Sequence, residues 1–464
     1  LTGYSLSDDS SQPDQWKLPA IAIAPGSYLI VFASGKDRRS ANGSELHTNF
    51  KLAAAGDYVG LFAPAGKLVS SLGPVMSPIE NGQSFGIPFR DGKPASGGRP
   101  ALLSEATPGA PNTGAADSTT LRIPVFSKEH GFFTKPFRLA LKAAKGAKIR
   151  YTLNGRTPTE STGQLYSGAI PITATMAVRA IAYGVSGKLA SATHTQTYIF
   201  PDAVARQANE APPGWPSQLR SRRGGGTGYG MHDPKTIGTT HEELVGALLD
   251  LPSLSLVTDV ANFWGRDGIW SRSQNRGADW ERPLSVELLD PAGEEKGFQI
   301  NCGVRVRGGA SRSEANPKHA MRLYFRKQYG EGKLRYPLFG DEGADAFEDI
   351  DLRTAQNYSW SFEQNTQNSF VREVFARDTQ RDMGRTYTRS RYYHLYLNGL
   401  YWGIYQTQEH AEAAYGSTYF GGTEADFDAV KSSGHSIEST DGDLDSWERM
   451  WEMARQLAAS RDAT

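Results

Sequence analysis

Short apolar runs of strand length, separated by turn residues, recur through the first 200 residues and constrain the fold more than any other feature. Residues 28–32 and 58–62 are two such runs, and Pro25-Gly26 and Asn81-Gly82 belong to the turns that bound the runs. Turns follow one another about every ten residues, and the runs show no helical period. Fifty glycines and 25 prolines also suit a turn-rich chain. The pattern predicts β-sandwich architecture in this part of the chain.

The chain is too long for one hydrophobic core. It has 464 residues, whereas single cores stop growing at about 250–300 residues, so we expect several domains. Basic and acidic side chains number 50 each, which gives no net field toward nucleic acid or an anionic membrane. No apolar run reaches the roughly 18 residues that a membrane span needs. The single cysteine, Cys302, excludes an intramolecular disulfide framework.

Residues 1–115 resemble a lamin-tail domain. The segments that carry the resemblance are residues 1–8, 25–29, 33–36, 47–52 and 107–112, together with Trp16. The resemblance implies an immunoglobulin-like sandwich and, in bacteria, a secreted or cell-surface protein. The family's opening strands are missing, and the chain starts without a methionine or signal peptide. We therefore expect the N-terminus to be incomplete and any signal peptide to lie upstream.

Residues 120–200 predict a second sandwich. Residues 148–153 alternate and then meet Asn154-Gly155, a hairpin turn signal. Residues 175–183 alternate again and predict one shared face for four apolar side chains: Met176, Val178, Ala180 and Ala182. The runs 151–159, 166–168 and 198–200 resemble the C-terminal sandwich of chitobiases and fibronectin-associated repeats. That resemblance implies a supporting or spacing role with weak carbohydrate contact, and it transfers no catalytic residue.

Residues 201–250 are interpreted as a linker with one short helix. Residues 220–230 are basic and glycine-rich, but they contain no G-x-G-x-x-G motif and lack the flanking strand and helix of a phosphate loop. Thr240 and Glu243 form a capping box at the start of the predicted helix.

Residues from 251 onward place a small-residue loop between two strands. Residues 253–257 predict a buried strand, while 303–307 and 321–325 alternate on either side of the loop 308–312, with Lys318 leading into the second strand. Phosphate oxygens can approach loop amides only where side chains are small, and a neighbouring lysine neutralises their charge. Many hairpins share this pattern, so it is weak alone. A helix over 368–383 and a hairpin over 392–407, turning at Asn398-Gly399, are predicted next.

This third segment resembles the CotH kinase family, atypical protein kinases that transfer phosphate from ATP to protein hydroxyls with a divalent metal, Mg or Mn. The matching motifs are residues 303–312, Lys318, 329–330, 338–340, 371–372, 396–405, Glu409 and 430–431. The resemblance implies an α+β kinase-like domain over 251–464. By position, it implies that Lys318 binds phosphate and that Arg307 and Ser311 line the nucleotide loop. It also implies that Glu409 orients a lysine or contacts the metal. Lys431 would be a second cation, and Arg372 would pair with a carboxylate or a phosphate.

Each of these residues also has a structural alternative. Arg307 and Arg372 could form structural ion pairs, and Glu409 could cap a helix. The family's metal-binding aspartates are expected beyond Thr464, so we expect the domain to be truncated and this chain to be catalytically inactive. The only late acidic cluster is residues 441–445. Counted as a calcium loop it places Glu452 at the twelfth position, but the amphipathic pattern that follows favours helix capping.

Two functions follow from these patterns. The first is an exported ATP-dependent protein kinase, with accessory modules and a nucleotide-side lobe in this chain, acting on a protein substrate whose identity the sequence does not give. The alternative is a non-catalytic surface protein that uses the CotH fold for adhesion or cell-wall assembly, with the sandwiches binding glycan or protein. Neither involves nucleic acid. A glycosidase ranks third, because no segment offers a persuasive pair of carboxylates.

Overall fold

A computed structural model describes residues 1–39, 45–52, 58–72, 84–90, 93–94, 100–103, 106–112, 121–185, 190–219, 228–231, 238–314, 316, 318–355, 369–433 and 436–461. The chain divides into two compact units, with the boundary between Leu121 and Arg122. The described part of the chain is mostly β, with multiple sheets and six α-helices. The turn signal at Asn81-Gly82 and residues 220–227 of the basic, glycine-rich stretch lie outside the described residues.

The first unit is built from short strands. Its largest sheet has the order β2-β1-β5-β6, and β3–β4, β7–β10 and β8–β9 form separate pairs. Trp16 is fully buried, and its indole Nε1 donates a hydrogen bond to Asp37 Oδ1 at 2.9 Å. The strand predicted over 28–32 is reduced to two residues. The strands are β1 Ser5–Ser7, β2 Trp16–Lys17, β3 Val31–Phe32, β4 Leu46–His47, β5 Val59–Ala63, β6 Lys67–Leu72, β7 Ser84–Gly86, β8 Phe89–Arg90, β9 Lys93–Pro94 and β10 Ala101–Leu103.

The second unit begins with a sandwich-type arrangement. A five-stranded sheet, β12-β19-β18-β15-β16, packs with the pairs β11–β14 and β13–β17 around a core that includes Leu139, Ile172, Val178 and Tyr198. The short helix α1, Pro201–Val204, follows. The strands are β11 Val125–Phe126, β12 Gly131–Phe132, β13 Phe137–Leu139, β14 Leu141–Lys142, β15 Lys148–Thr152, β16 Gln164–Leu165, β17 Ile170–Ile172, β18 Met176–Tyr183 and β19 His194–Ile199.

Two local predictions for this sandwich need correction. The tight hairpin at Asn154-Gly155 is wrong: residues 153–163 separate β15 from β16, and the Asn154 side chain instead accepts a hydrogen bond from Arg156 N at 3.2 Å. Strand β18 is buried on both faces over Ala177–Tyr183 rather than on one. The reason is that one face of this sheet covers the sandwich core while the other packs toward the strands that follow in the same unit.

Those following strands close into a seven-stranded barrel with the order β20-β21-β22-β23-β26-β28-β27. Strands β20 and β27 are parallel, and the other neighbours are antiparallel. Aliphatic side chains from these strands alternate into a single core. The barrel strands are β20 Ser253–Val257, β21 Arg282–Leu289, β22 Gln299–Val306, β23 Met321–Tyr324, β26 Asp349–Arg353, β27 Ser390–Leu397 and β28 Leu400–Gln408.

Short strand pairs and helices surround the barrel. The pairs are β24 Leu334–Arg335 with β25 Ala346–Phe347, and β29 Ala429–Ser433 with β30 Ser436–Asp441. The helices are α2 His241–Asp250, α3 Val260–Trp264, α4 Arg372–Asp382, α5 Ala413–Phe420 and α6 Asp445–Arg461. No helix in the described part of the chain is long and apolar enough to cross a membrane.

Local sequence signals around the barrel are mostly confirmed. Asn398-Gly399 joins β27 to β28 with both residues at positive φ (49° and 84°), as a tight hairpin requires. Thr240 and Glu243 form the predicted capping box of α2. Helix α4 is shorter than the predicted 368–383, and large apolar side chains in it and at its C-terminal end are exposed: Phe375 is 69% and Met383 67% accessible. The immunoglobulin-like type of the first unit and the α+β class of the third segment stay predictions.

Candidate functional site

A cleft of about 680 Å³ opens beside β22 and β23 and is strongly cationic. Aliphatic residues of these strands point into the barrel core, so the intervening arginines point outward into the cleft. Two carboxylates, Glu412 and Asp441, line it together with His410, and Gly308 and Gly309 form part of its wall. The other charged residues that line the cleft are seven arginines and lysines: Arg272, Arg276, Arg305, Arg307, Arg312, Arg322 and Lys431.

Asp351 fixes two of these arginines. Its side chain is 1% exposed and lies 3.1 Å from Arg307 Nε and 2.6 Å from Arg322 Nε. Burial lowers the pKa of Arg307. Burial opposes the charge of Arg322 as well, but the contacts with Asp351 outweigh it and raise the pKa of that arginine. Both guanidinium groups are therefore held in place before any ligand binds.

Glu281 holds the cleft residue Arg305, and Arg312 holds the glycine loop of the cleft. Glu281 accepts two hydrogen bonds from the Arg305 guanidinium, at 2.8 and 2.6 Å. Arg312 donates to the carbonyl oxygens of Gly308, Ser273 and Asn275 at 2.7–3.0 Å and so ties the glycine loop to the neighbouring loop. Among the described residues, no carboxylate lies within ion-pair distance of the remaining two arginines, Arg272 and Arg276.

Two of the sequence-predicted nucleotide residues line this cleft and one supports it. Arg307 is a lining residue, as is Lys431, whose Nζ pairs with Glu438 Oε1 at 2.7 Å. Ser311 is buried and its hydroxyl donates to the carbonyl oxygen of Arg307 at 2.5 Å, so it closes the loop rather than facing the cleft.

Lys318 lies elsewhere. It is not a lining residue of the cleft; its Nζ sits 5.4 Å from the centre of the buried Trp402 ring and close to Gly403. Within the described ranges, no carboxylate lies within ion-pair distance of its ammonium. Burial lowers the pKa of Lys318 to about 8.

Glu409 and Arg372 are also outside the cleft. Glu409 is 3% exposed and accepts hydrogen bonds from Arg389 N at 2.8 Å, from Arg389 Nη1 at 3.0 Å, and from the Tyr419 hydroxyl. Its carboxylate therefore pairs with Arg389 rather than with Lys318. It does not cap α5 either, because Glu412 occupies the N-cap position. Arg372 is an exposed first residue of α4.

The late acidic cluster initiates a helix. Helix α6 starts at Asp445, and Asp443 Oδ1 accepts a hydrogen bond from Asp445 N at 2.9 Å. Helix α6 begins at the fifth position of a loop counted from Asp441, so residues 441–452 do not form the 12-residue calcium loop that was considered as an alternative. Helix initiation, which the sequence favoured, is the arrangement observed. Asp441 itself lines the cleft, and its Oδ2 accepts from Ala413 N at 3.2 Å.

The sequence interpretation missed a cluster at the edge of the cleft. Ligand-type atoms of Asp349, His410 and Glu412 all lie within 4.8 Å of one another. Burial opposes protonation of His410, but the two carboxylates outweigh it and raise its pKa to about 9. Burial raises the pKa of Glu412, and the charge of Asp349 acts in the same direction. The acidic segment 409–412 directly after the hairpin was the available signal; nothing in the sequence indicated that Asp349 would meet it.

Comparison with protein families covers two segments of the chain. Residues 128–195 match the chitobiase/beta-hexosaminidase C-terminal domain, and residues 304–464 match the CotH kinase protein family. A comparison with curated proteins finds no match. Neither family match covers residues 1–115, so the lamin-tail resemblance stays a prediction. The glycine loop, the Asp349–His410–Glu412 cluster and five of the seven cationic cleft residues lie within the second match, whereas Arg272 and Arg276 precede it. The chain therefore carries a chitobiase/hexosaminidase C-terminal-type domain followed by a domain of the CotH kinase family.

Proposed function

We propose that the CotH-type domain binds ATP through its phosphates in the cationic cleft and belongs to an exported protein kinase that phosphorylates protein hydroxyls. One observation carries the proposal: seven arginine and lysine side chains surround a glycine loop in a cleft of about 680 Å³, and the loop and five of these seven residues lie in the segment that matches a kinase family.

The chemistry of the cleft suits a triphosphate. Arginine presents planar, paired donors that match phosphate oxygens, and two of the arginines are already oriented by Asp351. Arg272 and Arg276 lack a carboxylate partner among the described residues, so a polyanion would supply their counter-charge. The volume falls in the range of about 300–1,000 Å³ that is typical of small-molecule sites. Trp280 adds an aromatic surface on which a base could stack.

Export and the roles of the accessory modules belong to the same proposal. The resemblance of residues 1–115 to lamin-tail domains and the sandwich at 128–195 support a cell-surface setting, with glycan or protein contacts through these modules. The resemblance to CotH kinases supports Mg or Mn as the partner of ATP.

The first test is calorimetric titration with ATP and Mg²⁺ or Mn²⁺. We expect Arg276→Ala to weaken ATP binding at least about tenfold, because one charge-assisted hydrogen bond contributes about 1.5–3 kcal/mol. Arg138→Ala removes another exposed arginine, from β13 of the sandwich, and should leave affinity unchanged. Equal ATP affinity in the wild type and Arg276→Ala, or no binding at all, would reject the cleft as the nucleotide site and favour a non-catalytic scaffold.

Lys318→Ala tests the role implied by the resemblance separately. Loss of ATP binding in this variant would support a phosphate contact by Lys318, although its ammonium now lies over Trp402. Retained binding would remove Lys318 from the site and leave the arginine cleft as the proposal. Transfer of labelled γ-phosphate to protein hydroxyls, detected by mass spectrometry, would be evidence for a kinase beyond nucleotide binding.

A further inference from the structure

We propose that Asp349, His410 and Glu412 form a binding site for one divalent transition-metal ion, of the Mn²⁺ or Zn²⁺ class. The three residues come from the first position of β26 and from the short segment between β28 and α5. The inference does not depend on ATP binding, since it concerns the metal alone.

The spacing of the three ligand atoms fits a metal. His410 Nδ1 lies 2.8 Å from Glu412 Oε2 and 3.6 Å from Asp349 Oδ1. Ligands bound at about 2.0–2.2 Å in a tetrahedral site are roughly 3.4 Å apart, so small side-chain shifts would bring all three around one ion. One imidazole with two carboxylates is a donor set for Mn²⁺ or Zn²⁺ rather than for Ca²⁺, which takes oxygen ligands.

The side chains are not satisfied by one another. Asp349 Oδ1 and His410 Nδ1 are buried, and their short contacts lack hydrogen-bond geometry, so neither atom has a well-formed hydrogen bond in the described structure. The Asp349 side chain is only 10% exposed. A buried polar atom without a partner costs roughly 1–3 kcal/mol, so such atoms call for a missing ligand.

Glu412 also does not act as a helix-capping side chain. It occupies the N-cap of α5, but its side chain makes no cap hydrogen bond. The N–H of Ala413 is instead satisfied by Asp441 Oδ2 at 3.2 Å. The Glu412 carboxylate is therefore left to face His410.

The surroundings permit a cation. Arg322 Nε approaches Asp349 Oδ1 at 3.9 Å, but Arg322 is held more closely by Asp351 at 2.6 Å. His410 and Glu412 line both the cationic cleft and a smaller neighbouring cavity, which gives an ion a path of entry and room for water ligands. Cys302 is fully buried, and burial raises the pKa of its thiol, so it would not compete for zinc.

The test is titration of the full chain with MnCl₂ and with ZnCl₂, without nucleotide. We expect one ion per chain, and at least tenfold weaker binding in Asp349→Asn and in His410→Gln. His241→Asn is the matched control, because His241 pairs with a single carboxylate, Asp202, at 2.8 Å and should not matter. Thermal unfolding provides the second readout: metal should raise the melting temperature of the wild type and of His241→Asn only.

Three outcomes would overturn the site. These are no binding of either metal at millimolar concentration, equal binding in the wild type and both cluster variants, or loss of binding in His241→Asn alone. The first would mean that the cluster is a structural ion triad around protonated His410. Because no nucleotide is present, none of these results bears on the ATP titration, and the two proposals can fail separately.

Discussion

Two buried carboxylates on opposite sides of the barrel differ in how fully they are satisfied. Glu287 on β21 is completely buried and faces the sandwich, where it accepts hydrogen bonds from Thr197 N at 2.9 Å, from the Thr197 hydroxyl and from His130 Nδ1 at 2.9 Å. Asp349 on β26, whose side chain is 10% exposed, lines the smaller cavity beside the cleft, and its Oδ1 has no well-formed hydrogen bond in the described structure. The hydrogen bonds of Glu287 join the barrel to the sandwich, whereas Asp349 keeps an oxygen that could still bind a ligand.

The largest effect is expected on the sandwich side. Glu287→Ala should lower the free energy of unfolding by about 4 kcal/mol, because it leaves the donors of Thr197 and His130 buried without an acceptor. Urea unfolding of the wild type and the variant measures this difference. Glu294→Ala, an exposed residue on the β21–β22 connection, is the control and should change stability by less than about 0.5 kcal/mol. A loss below about 1 kcal/mol in Glu287→Ala would mean that the network does not hold the domains together.

A smaller effect should separate two aspartates on one strand. Asp351→Asn removes the charge that holds Arg307 and Arg322, so we expect a loss of about 2–3 kcal/mol. Asp349→Asn removes a carboxylate with an unused oxygen and should cost less than about 1 kcal/mol. Chemical unfolding of both variants in metal-free buffer makes the comparison. Equal losses would show that Asp349 is as structural as Asp351.

Features determined by neighbouring residues were predictable from the sequence. The Asn398-Gly399 hairpin, the Thr240–Glu243 capping box and the buried strand Ser253–Val257 depend on turn geometry, capping and apolar runs that the sequence displays directly. The two family resemblances that the comparisons confirm also rest on contiguous motifs.

Features determined by distant contacts were not predictable. The two-sided burial of β18 depends on the barrel strands beside it, which its alternating pattern cannot reveal. Amphipathic patterns predicted α4 and α6, but Phe375 and Leu457 on their apolar sides are 69% and 59% exposed, because a pattern does not specify whether a partner covers it. The Asp349–His410–Glu412 cluster depends on barrel closure bringing β26 beside β28.

Lys318 is a buried cation that can be compared with the buried carboxylates Glu287 and Asp349. Its replacement has the smallest expected effect on the free energy of unfolding. Its ammonium has no carboxylate partner in the described ranges, and its pKa of about 8 lies below the value of about 10.4 for an unfolded chain. The unfolded state therefore binds more protons between these two pH values, and wild-type stability should rise with pH across that window. Below pH 8 the cost of burying the charge is fully present.

Lys318→Met keeps the length of the side chain and removes the charge. We expect the variant to be more stable than the wild type at pH 7 by roughly 1–2 kcal/mol, after allowing for partial exposure, and the gain to disappear near pH 10. Thermal unfolding at several pH values between 7 and 10 measures both curves, with Lys142→Met on β14 as an exposed control that shows no such trend. A variant that is less stable than the wild type at pH 7 would mean that the contact with Trp402 outweighs the burial of the charge, and Lys318 would then belong with Glu287 among the satisfied groups.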